Sequence, residues 1–280
     1  MKALLRTSCL YRRDLHLPGR FLTTQSCLSS GIRCLPWWFR STPGTPLRCL
    51  CLAAFDFVYR MESGRPLPKV SYQQLAEFLS FAAQQNRILD NKSNEQIPFE
   101  TKAYSTSYAN ELIEIETNRP EIGSDRFNPR CIQDYREQVV ALALKHSFAI
   151  TFGDRDWSIQ SSASSKLYFD SLFRIAMLCQ LADDLIDHRR DHAMNLPSFA
   201  TSLTGHADPR SKFFHWIDVY SCSSPTSPRK QLRAFRWTVM GVAWLLKTLV
   251  RCMSFRQYDQ LGAEGEGKET GCKRGRDSDG

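Results

Sequence analysis

Acidic residues are almost missing from the first 60 positions, where nine Lys/Arg stand against only Asp14 and Asp56. The net charge of +8 is therefore gathered at one end, and residues 61–280 are close to neutral. That remainder lacks the basic surface of a nucleic-acid-binding domain, which argues against a nucleic-acid partner. Long apolar runs are missing too. The uncharged stretch from Trp237 to Leu246 is far short of the roughly 20 residues that span a bilayer. The ten cysteines include no CxxC pair and no nearby His at zinc spacing. Five lie in the first 51 residues, Cys49-x-Cys51 among them, and the rest are scattered singly. This reads as reduced thiols in an intracellular compartment. No GxGxxG, P-loop, internal repeat or period-2 strand pattern occurs, so nucleotide-binding α/β folds and β-folds are not expected.

The poverty of acid in residues 1–45, with their Arg, Ser, Thr, Pro and Gly content, matches an organellar transit peptide. A disordered leader from a misassigned start codon has the same composition, so both readings stand. The first places the protein in mitochondrion or plastid, the second in the cytoplasm. The tail from 256 to 280 is Gly, Glu, Lys and Arg with little apolar content, and disorder is expected there.

Between the ends, the patterns are helical. Pro46 precedes an apolar run to about Arg60, followed by a connector through Gly64, Pro66 and Pro68. Ser71 is a candidate cap for a helix with Leu75, Phe78, Leu79, Ala82 and Leu89 on one stripe. Tyr108, Leu112 and Ile115 suggest a short helix before Pro120. Asn128-Pro129 is a start signal, and the helix it opens runs to Gly153, a natural stop. Lys166 to Asn195 reads as one long helix ended by Pro197. The Pro and Ser of 198–230 read as an extended link. The last helix starts near Gln231, with Leu232, Phe235, Val239, Val242, Leu246 and Leu249 on its apolar face. Five or six helices and no strand make an all-α, antiparallel helical bundle over 46–255 the expected fold.

The chemistry is concentrated in Arg174 to Asp191, RIAMLCQLADDLIDHRRD. At roughly 100° per residue, Gln180, Asp183, Asp184, Asp187 and Asp191 share about a 100° arc. Leu178, Leu181, Ala182, Leu185 and Ile186 fall opposite. Crowded carboxylates repel, and a hard cation such as Mg²⁺ relieves them while keeping sites open for phosphate oxygens. The plain alternative is a solvated acidic face partly neutralised by Arg189 and Arg190. Arg136, beside Tyr135 and Gln138, would pair with a diphosphate or the Asp183 cluster if buried, and with Asp134 or Glu137 if exposed.

Gln180-Leu-Ala-Asp183-Asp184-Leu-Ile-Asp187 resembles the second aspartate-rich motif, QxxDDxxD, of trans-isoprenyl diphosphate synthases. The wider run from Leu172 to Phe199 resembles bacterial class I isoprenoid-biosynthesis proteins related to those synthases and to squalene/phytoene synthases. The resemblance implies an Mg²⁺-dependent enzyme, a prenyltransferase or a terpene-synthase-type lyase. Asp183, Asp184, Asp187 and Asp191 would hold the metal. Arg136, Gln180 and Asp90 would serve an isoprenyl diphosphate substrate, with Gln180 steadying a ligand carboxylate or a metal-bound water. Phe78, Phe81, Tyr135 or Phe148 would face a carbocation, or else be plain core. The first aspartate-rich motif departs from the family: only Asn86 and Asp90 stand one turn apart, and a polar helix end is the preferred reading of them. That departure opens the alternative of a catalytically impaired bundle that acts as a binding or regulatory protein. No transmembrane span is expected, whereas peripheral membrane contact and a homodimer stay open.

Overall fold

The computed structural model describes residues 29–30, 45–91, 103–123, 127–153, 163–222 and 232–252. Most of the expected leader and all of the expected tail lie outside these residues. Among them all regular structure is helical, so the fold is all-α. The helices are α1 Thr45–Ser63, α2 Lys69–Asn91, α3 Ala103–Thr117, α4 Pro129–Phe152, α5 Ala163–Ile186, α6 His188–Ala193, α7 Pro209–Ser221 and α8 Leu232–Cys252. A 3₁₀ turn, Thr201–Leu203, precedes α7. No described helix is long and apolar enough to cross a membrane.

Local chemistry explains most boundaries. The Asn128 Oδ1 accepts from the backbone N–H of Arg130 at 3.1 Å and of Cys131 at 3.0 Å, capping α4 with Pro129 in its first turn. Gly153, at φ 84°, ends α4 in the left-handed region that glycine enters at no steric cost. The start of α2 differs from expectation. The Pro68 carbonyl takes the first helical bond, from Tyr72 N–H at 2.9 Å, so Ser71 lies inside the helix rather than capping it.

Two further expectations are corrected. The long helix over 166–195 is interrupted at Asp187, whose ψ of 6° leaves the helical range, and a short α6 follows. That helix ends in a Schellman arrangement. Asn195 sits at φ 53°, Leu196 N–H donates to the Asp191 carbonyl at 2.8 Å, and Asn195 N–H donates to His192 at 3.2 Å. The supposed link over 198–230 contains α7. Asp208 caps it, with Oδ1 accepting from Ser211 N–H at 3.0 Å, and Phe213, Trp216, Ile217 and Tyr220 bury its apolar stripe.

The chain divides into two compact units. The first comprises Met1–Ala109, Ala143–Leu172 and Pro225–Arg236. Its core holds Phe55, Leu75, Phe78, Tyr108 and Phe148, with Phe78 edge-on to Tyr108 at 5.1 Å and Phe55 edge-on to Phe148 at 5.2 Å. Asp56 is wholly buried there. It accepts from Ser30 Oγ at 2.7 Å, Arg60 Nε at 2.7 Å and Leu67 N–H at 2.9 Å. Burial alone would raise the Asp56 carboxyl, but those donors outweigh it and hold the group below its usual range. Ser30, within the expected leader, is thus a buried part of this unit.

The second unit comprises Asn110–Leu142, Phe173–Ser224 and Trp237–Gly280. Its core joins Ile132 of α4, Met177, Leu178, Leu181 and Leu185 of α5, the turn residues Phe199 and Leu203, the α7 stripe, and Val239, Ala243, Leu246 and Val250 of α8. Polar links knit the same elements. Tyr220 donates to Glu137 at 2.7 Å, Trp216 Nε1 to Gln133 at 3.2 Å, and Tyr135 to Glu116 at 2.6 Å.

Candidate functional site

The acid-rich stretch of α5 and α6 lies in the second unit, and its carboxylates do not share one environment. Leu178, Leu181 and Leu185 fill the core, as their spacing suggested, but Ile186 is exposed. Asp183 is exposed, Asp187 half-buried, and Asp184 and Asp191 buried. An i, i+1 pair on a helix diverges by about 100°, so when α5 packs, Asp184 turns toward the core while Asp183 stays outward.

Asp184 is the organising group. Its Oδ1 accepts from Gln180 Nε2 at 2.5 Å and from Arg136 Nη2 at 3.3 Å, and its Oδ2 accepts from the backbone N–H of Phe199 at 2.7 Å. Arg136 therefore reaches the aspartate cluster from α4, one of the destinations its position allowed. Gln180 thus bonds a carboxylate of its own helix, one turn on. Burial pushes the Asp184 carboxyl up, against the pull of Arg136, the Phe199 amide and Gln180.

The segment that Asp184 holds is itself unusual. Every residue from 196 to 203 is buried, although only 201–203 are helical. Buried irregular backbone must find partners for its polar groups. Here Ser198 N–H donates to Thr201 Oγ1 at 2.8 Å, the Thr201 hydroxyl donates to the Leu196 carbonyl at 3.0 Å, and the Ser202 hydroxyl to the Phe199 carbonyl at 2.9 Å. Asp184 supplies the acceptor for Phe199, so one aspartate of the motif pins this loop to α5.

Asp183 and Asp187, one turn apart, remain toward solvent. Asp187 accepts from Arg190 at 3.0 Å. Partial desolvation, with the neighbouring charges of Asp184 and Asp187, pushes the Asp183 carboxyl above its usual range. Asp191 is pushed up to about 7, first by burial and then by Asp184.

A fourfold carboxylate ligand set is not assembled. Among the described residues no group of three or more His, Cys, Asp or Glu is placed to hold a metal ion. Asp184 is committed to protein donors, and Asp191 is buried. The outward pair Asp183 and Asp187 still fits Mg²⁺ in the mode where one or two carboxylates bind it and substrate phosphates complete the shell.

The remaining sequence candidates sort by unit. Asn86 of α2, in the first unit, is exposed, and the side chain of Asp90 lies outside the described residues. Phe78 and Phe148 are core aromatics of the first unit. Tyr135, in the second, has the Arg136 guanidinium 5.7 Å from its ring centroid. The 196–203 loop is the feature that sequence reasoning missed. Its alternation of Ser and Thr with Leu, Phe and Ala was the available signal. Against known proteins, no family model, curated protein or solved structure matches this chain.

Proposed function

We propose that the protein is a helical bundle of the class I isoprenoid-synthase type that binds an isoprenyl diphosphate through Mg²⁺ at Asp183 and Asp187. The reaction is ionisation of the allylic diphosphate for prenyl transfer, condensation or cyclisation, the work of a transferase or a terpene-synthase-type lyase. The observation that carries it is the division of labour within one motif. Arg136, Gln180 and the Phe199 amide fix Asp184 internally, while Asp183 and Asp187 stay outward one turn apart. A bound Mg²⁺ supplies Lewis-acid neutralisation of charge on a departing diphosphate. The chain's own residues do the placing. The locked Asp184 fixes the rotation of α5, and with it the outward aim of its two neighbours. Arg190 beside Asp187 adds a cation that can bond a phosphate oxygen. Because the Asp183 carboxyl is pushed up and a metal ligand must be ionised, Mg²⁺ affinity rises with pH.

A second reading, the same bundle binding without turnover, has its own support. Both oxygens of Asp184 are taken by protein donors, and exposed Asn86 stands where the family pattern carries a carboxylate. The full chain should be incubated with Mg²⁺ and geranyl, farnesyl or geranylgeranyl diphosphate, with and without isopentenyl diphosphate. Consumption abolished by Asp183→Asn/Asp187→Asn supports catalysis, and a need for isopentenyl diphosphate marks chain elongation. Metal-dependent binding without consumption supports the second reading. Neither binding nor consumption overturns both.

A further inference from the structure

Helix α8 carries two apolar faces. One, through Val239, Ala243, Leu246 and Val250, is buried in the second unit. The other is exposed: Trp237 is 71 % accessible, Trp244 64 % and Leu245 62 %, with Met240 beside them. At roughly 100° per residue, Trp237, Met240, Trp244 and Leu245 lie within about 140° of arc, opposite the buried face. An exposed contiguous apolar patch on a helix marks a surface that something covers.

The charge of α8 says what covers it. Its sequence contains Arg233, Arg236, Lys247 and Arg251 and no Asp or Glu. Arg236, Lys247 and Arg251 fall along one flank of the exposed stripe by the same projection. Lys247 pairs with Asp218 of α7, and the Arg251 guanidinium lies 5.7 Å from the Phe214 ring centroid, so α7 holds both at that flank. A second copy docking face to face in antiparallel fashion would bring these cations against their own kind, and a parallel one would leave them without an anionic partner. An anionic lipid surface complements them, and paired Trp residues suit the water–hydrocarbon boundary, where the ring is buried and its N–H stays wet. We infer that α8 is a membrane-surface helix, which docks its Trp237–Leu245 face into the headgroup region of an anionic bilayer without crossing it. This inference is independent of the aspartate site.

The test uses the full chain with sedimented vesicles of phosphatidylcholine, with or without about 30 % phosphatidylglycerol. Binding to the anionic vesicles only, weakening as salt is raised, is expected, together with a blue shift of tryptophan emission. Trp237→Ala/Trp244→Ala should weaken partitioning about tenfold or more. Arg236→Gln should weaken it at low salt and leave the emission of the bound form shifted. Because these side chains are exposed, far-ultraviolet circular dichroism should stay unchanged in every variant. Equal partitioning of wild type and the double tryptophan variant, or absence of partitioning, would overturn the inference. A concentration-dependent dimer dissolved by Trp237→Ala/Trp244→Ala, without vesicle binding, would assign the face to a second copy instead.

Discussion

Replacing Arg136 with methionine should destabilise the second unit, and the structure sets the size of the effect. Asp184 retains 2 % of its side-chain exposure and Arg136 19 %. Removing one partner of a fully buried pair costs about 3–5 kcal/mol, because the other charge is stranded. Two features lower that figure here. Gln180 and the Phe199 amide still serve the Asp184 oxygens, and a carboxyl already pushed upward can take a proton. About 2 kcal/mol is therefore expected for Arg136→Met. Asp184→Asn keeps an acceptor for Phe199 and should cost about 1–2 kcal/mol. The double variant should cost less than the two combined, with a coupling of about 1 kcal/mol, since neither charge is then stranded. Urea unfolding followed by circular dichroism at neutral pH measures all four corners of the cycle. An Arg136→Met cost below about 0.5 kcal/mol with no coupling would refute the reasoning, because exposed pairs behave that way.

Other outcomes follow from the same geometry. Asp183→Asn should leave stability unchanged or raise it by about 0.2–0.5 kcal/mol, since it relieves like charge at i, i+4, and a large loss in thermal unfolding would mean that Asp183 is structural. Ser30→Ala should cost about 1 kcal/mol by removing a donor from buried Asp56, whereas an unchanged denaturation midpoint would place Ser30 outside the fold. Asp191 titrates from 3.8 in the unfolded chain up to about 7 in the fold, so the folded state binds its proton more tightly. Its contribution is thus present at low pH and is lost as pH rises from about 4 to about 7. Asp191→Asn should flatten the fall in melting temperature across that window, and an unaltered pH profile would contradict the assignment.

The all-α fold was legible because helix-period stripes and end signals agreed, as at Asn128-Pro129 and Gly153. The α7 helix was not read, because its flanking prolines and serines outweighed a cap and stripe as good as those of α4. The break at Asp187 had no Pro or Gly to announce it. The carboxylates that share one arc of the helix meet different surroundings for a different reason. The fate of Asp184 is decided by Arg136, 48 positions away, and by an amide 15 positions on, neither of which helical projection can see. Periodicity shows which residues share a face, while burial of that face depends on partners distant in sequence.

The outward pair of carboxylates carries the functional account, and calorimetry tests it most directly. Mg²⁺ is titrated into the full chain with and without an unreactive farnesyl diphosphate analogue, then into Asp183→Asn/Asp187→Asn. The account predicts binding at least about tenfold tighter when the diphosphate is present, lost in the double variant and growing as pH rises. Equal, weak binding by wild type and variant, indifferent to the diphosphate, would contradict it and leave Asp183 and Asp187 as a solvated acidic face.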